Sequence, residues 1–124
     1  MMPKNLNYKS RINYTGIILA AGKSKRLKKE IKIKSKNLIE INNGKSSLDY
    51  NIEKLEEFNI SKIYINTFNY HNDFNNKITK RNSRSVIKLI KEKKLLGTAG
   101  GVFNICNKFP NLKNIIVLYG DNIS

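Results

Sequence analysis

One cysteine, two prolines, no tryptophan and nine acidic residues mark what this 124-residue chain has least of. Each shortage excludes something. Cys106 alone rules out an internal disulfide and a cysteine zinc cluster. Apolar runs stop at about five residues, far below the ~20 needed to span a bilayer, so no membrane partner is expected. Met1 to Arg11 carries basic residues with no apolar stretch behind them, unlike a secretory signal. The cytoplasm is therefore the expected location.

What is abundant is lysine (20), asparagine (19) and isoleucine (18). All three are written by A/T-rich codons, so a base bias would produce the +15 formal charge without selection for binding, and that reading stands beside a functional one. The excess is nonetheless uneven, with ten basic residues against one acid over residues 1–35. Hydrophobic residues make up 40% of the chain, enough for one domain with a real core. The aromatic residues are dispersed rather than interleaved with the basic cluster, which speaks against a stacking surface for nucleic acid.

Residues 1–14 read as a flexible basic extension. A continuous apolar run at about Thr15–Ala21 predicts a buried parallel strand, followed by a lysine- and serine-rich loop to Asn37. Leu38–Ile41 reads as a short extended piece before the turn Asn42-Asn43-Gly44. Leu48, Ile52, Leu55 and Phe58 share one face of a helix over about 47–58, with Ser46 and Asp49 as its capping box. Asn59 suits the left-handed position beyond its end. Ile60–Thr67 predicts a strand in which Ile63 and Ile65 alternate against Lys62, Tyr64 and Asn66. Further helices are expected near 70–79 and 98–108, and strands near 85–91 and 114–119. Cys106 lies in the apolar pattern with Val102 and Phe109, as a core residue would. Strand and helix in alternation imply an α/β fold with a doubly wound, mostly parallel sheet.

Such sheets bind ligands outside the carboxyl ends of their strands. After the first strand comes Leu19-Ala20-Ala21-Gly22-Lys23-Ser24-Lys25-Arg26-Leu27. A glycine there lets successive backbone N–H groups face an anion, and Lys23 and Arg26 add charge suited to phosphate. An ordinary strand-to-helix turn with a solvated basic face would read the same way. Asp121, directly after the last strand, is placed either to hold magnesium with substrate phosphates or to cap a turn. Gly100 and Gly101 inside a helix cost about 1 kcal/mol each against alanine, which points to close packing by a ligand or another helix. Thr98 is a candidate cap for that helix.

Together these segments resemble the sugar-phosphate nucleotidyltransferases, a family with a Rossmann-like core that includes mannose-1-phosphate guanylyltransferases and glucose-1-phosphate thymidylyltransferases. Leu19 to Leu27 is similar to the family's opening Leu-Ala-Gly/Ala-Gly-x-Gly/Ser-x-Arg-Leu, with Lys25 in place of threonine. Ser35-Lys36-Asn37-Leu38 is similar to its Pro-Lys-Pro-Leu, keeping the lysine and neither proline, which removes the stiffening that aims it. Leu96 to Gly101 and Tyr119 to Asn122 match its Leu-Gly-Thr-Ala-Gly and Gly-Asp elements.

The resemblance implies nucleotidyl transfer from a nucleoside triphosphate to a sugar 1-phosphate, giving an NDP-sugar and pyrophosphate. It gives catalytic roles to Arg26 and Lys36. It places Ala20, Ala21, Gly22, Lys23, Gly97 and Thr98 along the nucleotide, and makes Asp121 a ligand of Mg2+. Residues 15–124 would be the N-terminal part of such a domain. The second metal-binding aspartate and most of the sugar pocket belong to a C-terminal half not matched here, so the chain is expected to be inactive alone unless a partner chain supplies it. Two alternatives stand beside this reading: a non-catalytic nucleotide-binding remnant or split subunit, and a basic nucleic-acid-binding domain.

Overall fold

The computed structural model describes residues 14–21 and 35–120. The expected extension before Tyr14 lies outside them, as do Gly22, Lys23, Arg26 and Asp121. The strands are β1 (Tyr14–Leu19), β2 (Glu40–Asn42), β3 (Lys45–Ser46), β4 (Lys62–Thr67), β5 (Val86–Lys91) and β6 (Asn114–Tyr119). The helices are α1 (Ser47–Glu57), α2 (His71–Lys80) and α3 (Gly97–Lys108), with a 3₁₀ turn at Lys36–Leu38.

Four parallel strands form one sheet in the order β5-β4-β1-β6. Register sets Gly16 of β1 opposite Ile63 on one side and Ile116 on the other. Both faces are covered. Ile18 of β1 and Ala20 just beyond it, with Ile63 and Ile65 of β4, pack against Leu48, Ile52 and Leu55 of α1 and Phe74 of α2. Ile17 and Tyr64 point the other way, onto Ile105 of α3. There the Tyr64 ring stacks on Phe109 with centroids 4.5 Å apart. Leu48, Ile52 and Leu55 are at most 1% exposed, and each such side chain contributes roughly 1.5–3 kcal/mol on burial. This is the doubly wound, Rossmann-like arrangement that alternating strands and helices implied. Among the described residues no helix is long and apolar enough to cross a membrane.

Four local expectations are corrected. Tyr64 and Asn66 do not face solvent; they are 3% and 2% exposed, because a parallel strand between two helical layers has no wet side. Leu38 closes the 3₁₀ turn, and the extended piece begins at Glu40. Phe58 is the C-cap of α1 rather than part of its buried face and is 63% exposed. On α3 it is Ile105 that is fully buried, while Cys106 is half-buried. The β2–β3 hairpin turns at Asn43 and Gly44, both at positive φ as a two-residue hairpin turn requires. Asn59 takes the expected left-handed conformation, at φ 61°.

Candidate functional site

The connection leaving β1 leads to β4 on one side, and β6 returns to β1's other side after β5. The chain therefore reverses its winding direction at β1 and β6. A crevice opens at such a switch point, beyond the carboxyl ends of the two strands. Ala20 and Ala21 lie at that end of β1, and Gly120 lies at that end of β6, its N–H donating to Leu19 O at 2.9 Å.

The Gly120 peptide is held from several directions. Ser47 Oγ, at the first turn of α1, donates to Gly120 O at 2.7 Å. Asn51 Nδ2, one turn on, donates to Gly120 O and to Tyr119 O, each at 3.1 Å. A Cβ on Gly120 would collide with Asn37 Oδ1 and lie 2.9 Å from Leu19 O, so only glycine fits. The Gly120 peptide is thus fixed.

The turn carrying Lys36 is seated against the same place through Asn37. Asn37 N and Nδ2 donate to Ser35 Oγ at 3.2 and 3.1 Å, and Leu38 N donates to Ser35 O at 3.0 Å. Ser35 and Asn37, the residues standing where prolines were expected, therefore stiffen the turn by hydrogen bonds instead. Asn37 Oδ1 is buried with no partner among the described residues.

On the β4 side, Asn66 Oδ1 accepts the Ala20 N–H at 2.7 Å while its Nδ2 donates to Glu92 Oε2 at 2.8 Å. Glu92, just past β5, is 3% exposed. A Cβ on Gly101 would lie 2.6 Å from Asn66 Nδ2 and 3.1 Å from Glu92 Oε2. Gly101 is thus closely packed, but by a side chain of β4 and the residue after β5 rather than by a ligand or another helix, and a Cβ on Gly100 would meet only Leu96 beside it. Gly97 begins α3 at φ 78°, with Leu96 as N-cap and no side-chain cap, so Thr98 sits exposed in the first turn rather than capping it.

Away from the crevice, a hollow of about 390 Å³ beyond β4 is lined by Phe68, Tyr70, His71, Asp73 and Lys91 among others. His71 Nδ1 there lies 2.7 Å from Thr67 Oγ1. Among the described residues no three His, Cys, Asp or Glu side chains gather as a metal cage.

Of the residues expected from sequence, Ala20, Ala21, Gly97, Thr98 and the backbone of Lys36 fall among the described residues, and Ser47, Asn51, Asn66 and Glu92 were not among those expected. The available signal was weak: an asparagine inside an apolar strand, and an acid directly after one. Their partners lie 26 to 73 residues away in the chain.

A parallel α/β sheet that reverses its winding at β1 and β6 is an open doubly wound fold, in which ligands bind beyond the carboxyl ends of the strands. Residues 15–124 match the family model described as nucleotidyl transferase, and the chain belongs to that family. It is 31% identical over 105 residues to the bifunctional protein GlmU of Buchnera aphidicola subsp. Baizongia pistaciae, covering 85% of this chain and 22% of that protein. The structure of HddC from Yersinia pseudotuberculosis complexed with GMP-PN superimposes with a TM-score of 0.71 at 28% identity, over 87% of this chain and 48% of that one. A putative glucose-1-phosphate thymidylyltransferase from Bacillus anthracis, in complex with a sucrose, does so with a TM-score of 0.71 at 25% identity, over 89% and 45%. The chain thus spans less than half the length of each of these relatives.

Proposed function

We propose that the crevice at the carboxyl ends of β1 and β6 binds a nucleoside triphosphate, and that the reaction is nucleotidyl transfer to a sugar 1-phosphate. A phosphate oxygen of the sugar attacks the α-phosphorus, the bond to the bridging oxygen breaks, and pyrophosphate leaves with an NDP-sugar formed. Such transfers need positioning and charge neutralisation more than covalent help from the protein.

The observation that carries this reading is the adjacency of Ala20–Ala21 and the pinned Gly120 peptide on neighbouring parallel strands. The backbone of Ala20, Ala21, Gly22 and Lys23 lies along the nucleotide on this reading, with Gly97 and Thr98 beside the base. Arg26 neutralises charge on the triphosphate, and Lys36 contacts phosphate near the attacked phosphorus.

The donor chemistry of Asp121 fits magnesium, which commonly takes one or two carboxylates together with substrate phosphate oxygens. Magnesium so held supplies further charge neutralisation. Residues 15–124 are then the N-terminal part of the catalytic domain, and further sequence, on this chain or on a partner chain, completes the sugar pocket.

Thermal unfolding with magnesium and each common nucleoside triphosphate tests the reading. A ligand at a hundredfold excess over its Kd adds about 2.7 kcal/mol, and one triphosphate is expected to raise the midpoint by several degrees. A cooperative transition that none of them moves would refute the site. Arg26→Ala should reduce the shift without lowering the unliganded midpoint, and Asp121→Asn should remove its dependence on magnesium.

A further inference from the structure

We propose that Asn66, oriented by Glu92, is a positioning residue that fixes the Ala20 peptide and so ties the exit of β1 to the segment leading into α3. This rests on reading the crevice as a triphosphate site.

The β1–β4 ladder ends at the pair Leu19 and Asn66. One residue later the Ala20 N–H has left the regular ladder, and a side chain takes over: Asn66 Oδ1 accepts it at 2.7 Å. The direction in which the chain leaves the sheet is therefore set by a side-chain amide. An amide has two ends of nearly equal shape, one donating and one accepting. With a donor at Ala20 and an acceptor at Glu92 Oε2, 2.8 Å from Nδ2, only one orientation satisfies both.

Glu92 is itself fixed, since its backbone N–H donates to Thr67 O at 2.7 Å. Asn66 and Glu92 are 2% and 3% exposed, and Gly101 of α3 lies against both polar atoms with no room for a methyl group. Loss of either partner would leave the other buried and unsatisfied. Glu92 stands five residues before Gly97. The pair thus joins the start of the loop after β1 to the start of α3, the two segments read as contacting the nucleotide, and a displacement of one is passed to the other.

The test uses four proteins: the wild type, Asn66→Ala, Glu92→Met and Glu92→Gln. Glutamine keeps an acceptor for Asn66 Nδ2, whereas methionine keeps the length and removes the acceptor. Two quantities are read on each. One is amide hydrogen exchange at Ala20, and the other is the Kd for magnesium–triphosphate, with the four common ribonucleotides and dTTP as probes.

Slow exchange at Ala20 is expected in the wild type and in Glu92→Gln. Asn66→Ala and Glu92→Met should exchange faster and bind about tenfold more weakly, the equivalent of one lost hydrogen bond. Rescue by glutamine distinguishes orientation of Asn66 from direct contact. If Glu92→Gln binds as weakly as Glu92→Met, the carboxylate meets the ligand itself and the proposal falls. Unchanged affinity in a folded Asn66→Ala protein also overturns it. If Asn66→Ala does not fold, Glu92→Met and Glu92→Gln decide the matter between them. A wild type that binds no triphosphate while Ala20 stays protected refutes the nucleotide reading and the positioning role with it, leaving only a structural clamp.

Discussion

At Gly120 a methyl group has nowhere to go, with Asn37 Oδ1 on one side and Leu19 O on the other. Gly120→Ala is expected to destabilise the protein by about 1–3 kcal/mol through overpacking, measurable as a lower urea midpoint at unchanged m-value. Ser47 and Asn51 share one acceptor, the Gly120 carbonyl. Either alanine substitution leaves that carbonyl with a partner and should cost about 1 kcal/mol, whereas the double substitution leaves it unsatisfied. A double-mutant cycle should therefore show a loss greater than the sum of the singles, and additivity would mean the two bonds are independent. The glycine beside Asp121 was legible from sequence only as part of the Gly-Asp element of the family resemblance. Ser47 and Asn51 were not, because on a helix such residues ordinarily face water, and nothing local shows a carbonyl about 70 residues away waiting for them.

Helix α1 begins where Ser46 and Asp49 cap each other: Ser46 N donates to Asp49 Oδ2 at 2.8 Å, and Asp49 N donates to Ser46 Oγ at 3.4 Å. That much followed from spacing alone. What spacing could not show is that Asp49 also gathers Lys77 Nζ at 3.0 Å and an Arg81 guanidinium nitrogen at 2.7 Å from the far end of α2. Burial pushes the Asp49 carboxyl up, but the Ser46 N–H, Lys77 and the Ser46 hydroxyl outweigh it and hold the group below its usual range near 3.8. A carboxyl whose folded pKa is lowered adds stability that is complete above the unfolded value and is lost as pH falls through the folded one. Asp49→Asn should thus lower the free energy of unfolding at neutral pH by about 1–2 kcal/mol, read from urea unfolding. The gap to wild type should close as the pH is taken below 3.8, and a gap that persists in acid would assign the loss to packing instead. The same limit of local reading explains β4: alternation marked Tyr64 and Asn66 as outward-facing, yet α3 covers that face and makes outward another kind of inward.

On the scale of the whole molecule, the alternation of strands and helices was enough to name the fold class, since parallel strands need helical crossovers and those leave a plain pattern. Strand order was not readable, because it is decided by which hydrophobic faces meet in space. The order has a temporal consequence. β1 is sandwiched between β4 and β6, and its partner across the second edge begins at Asn114, opposite Tyr14. Pairings this far apart slow folding, and mixed α/β domains fold more slowly than helical bundles and faster than all-β barrels. Stopped-flow refolding followed by tyrosine fluorescence should show it, and microsecond folding would contradict it. On a ribosome adding about 5–20 residues per second, about a hundred residues of synthesis separate the two strands. For several seconds of every molecule's birth, the strand destined for the centre of the sheet stands at its border, and the nascent chain is then most in need of shelter.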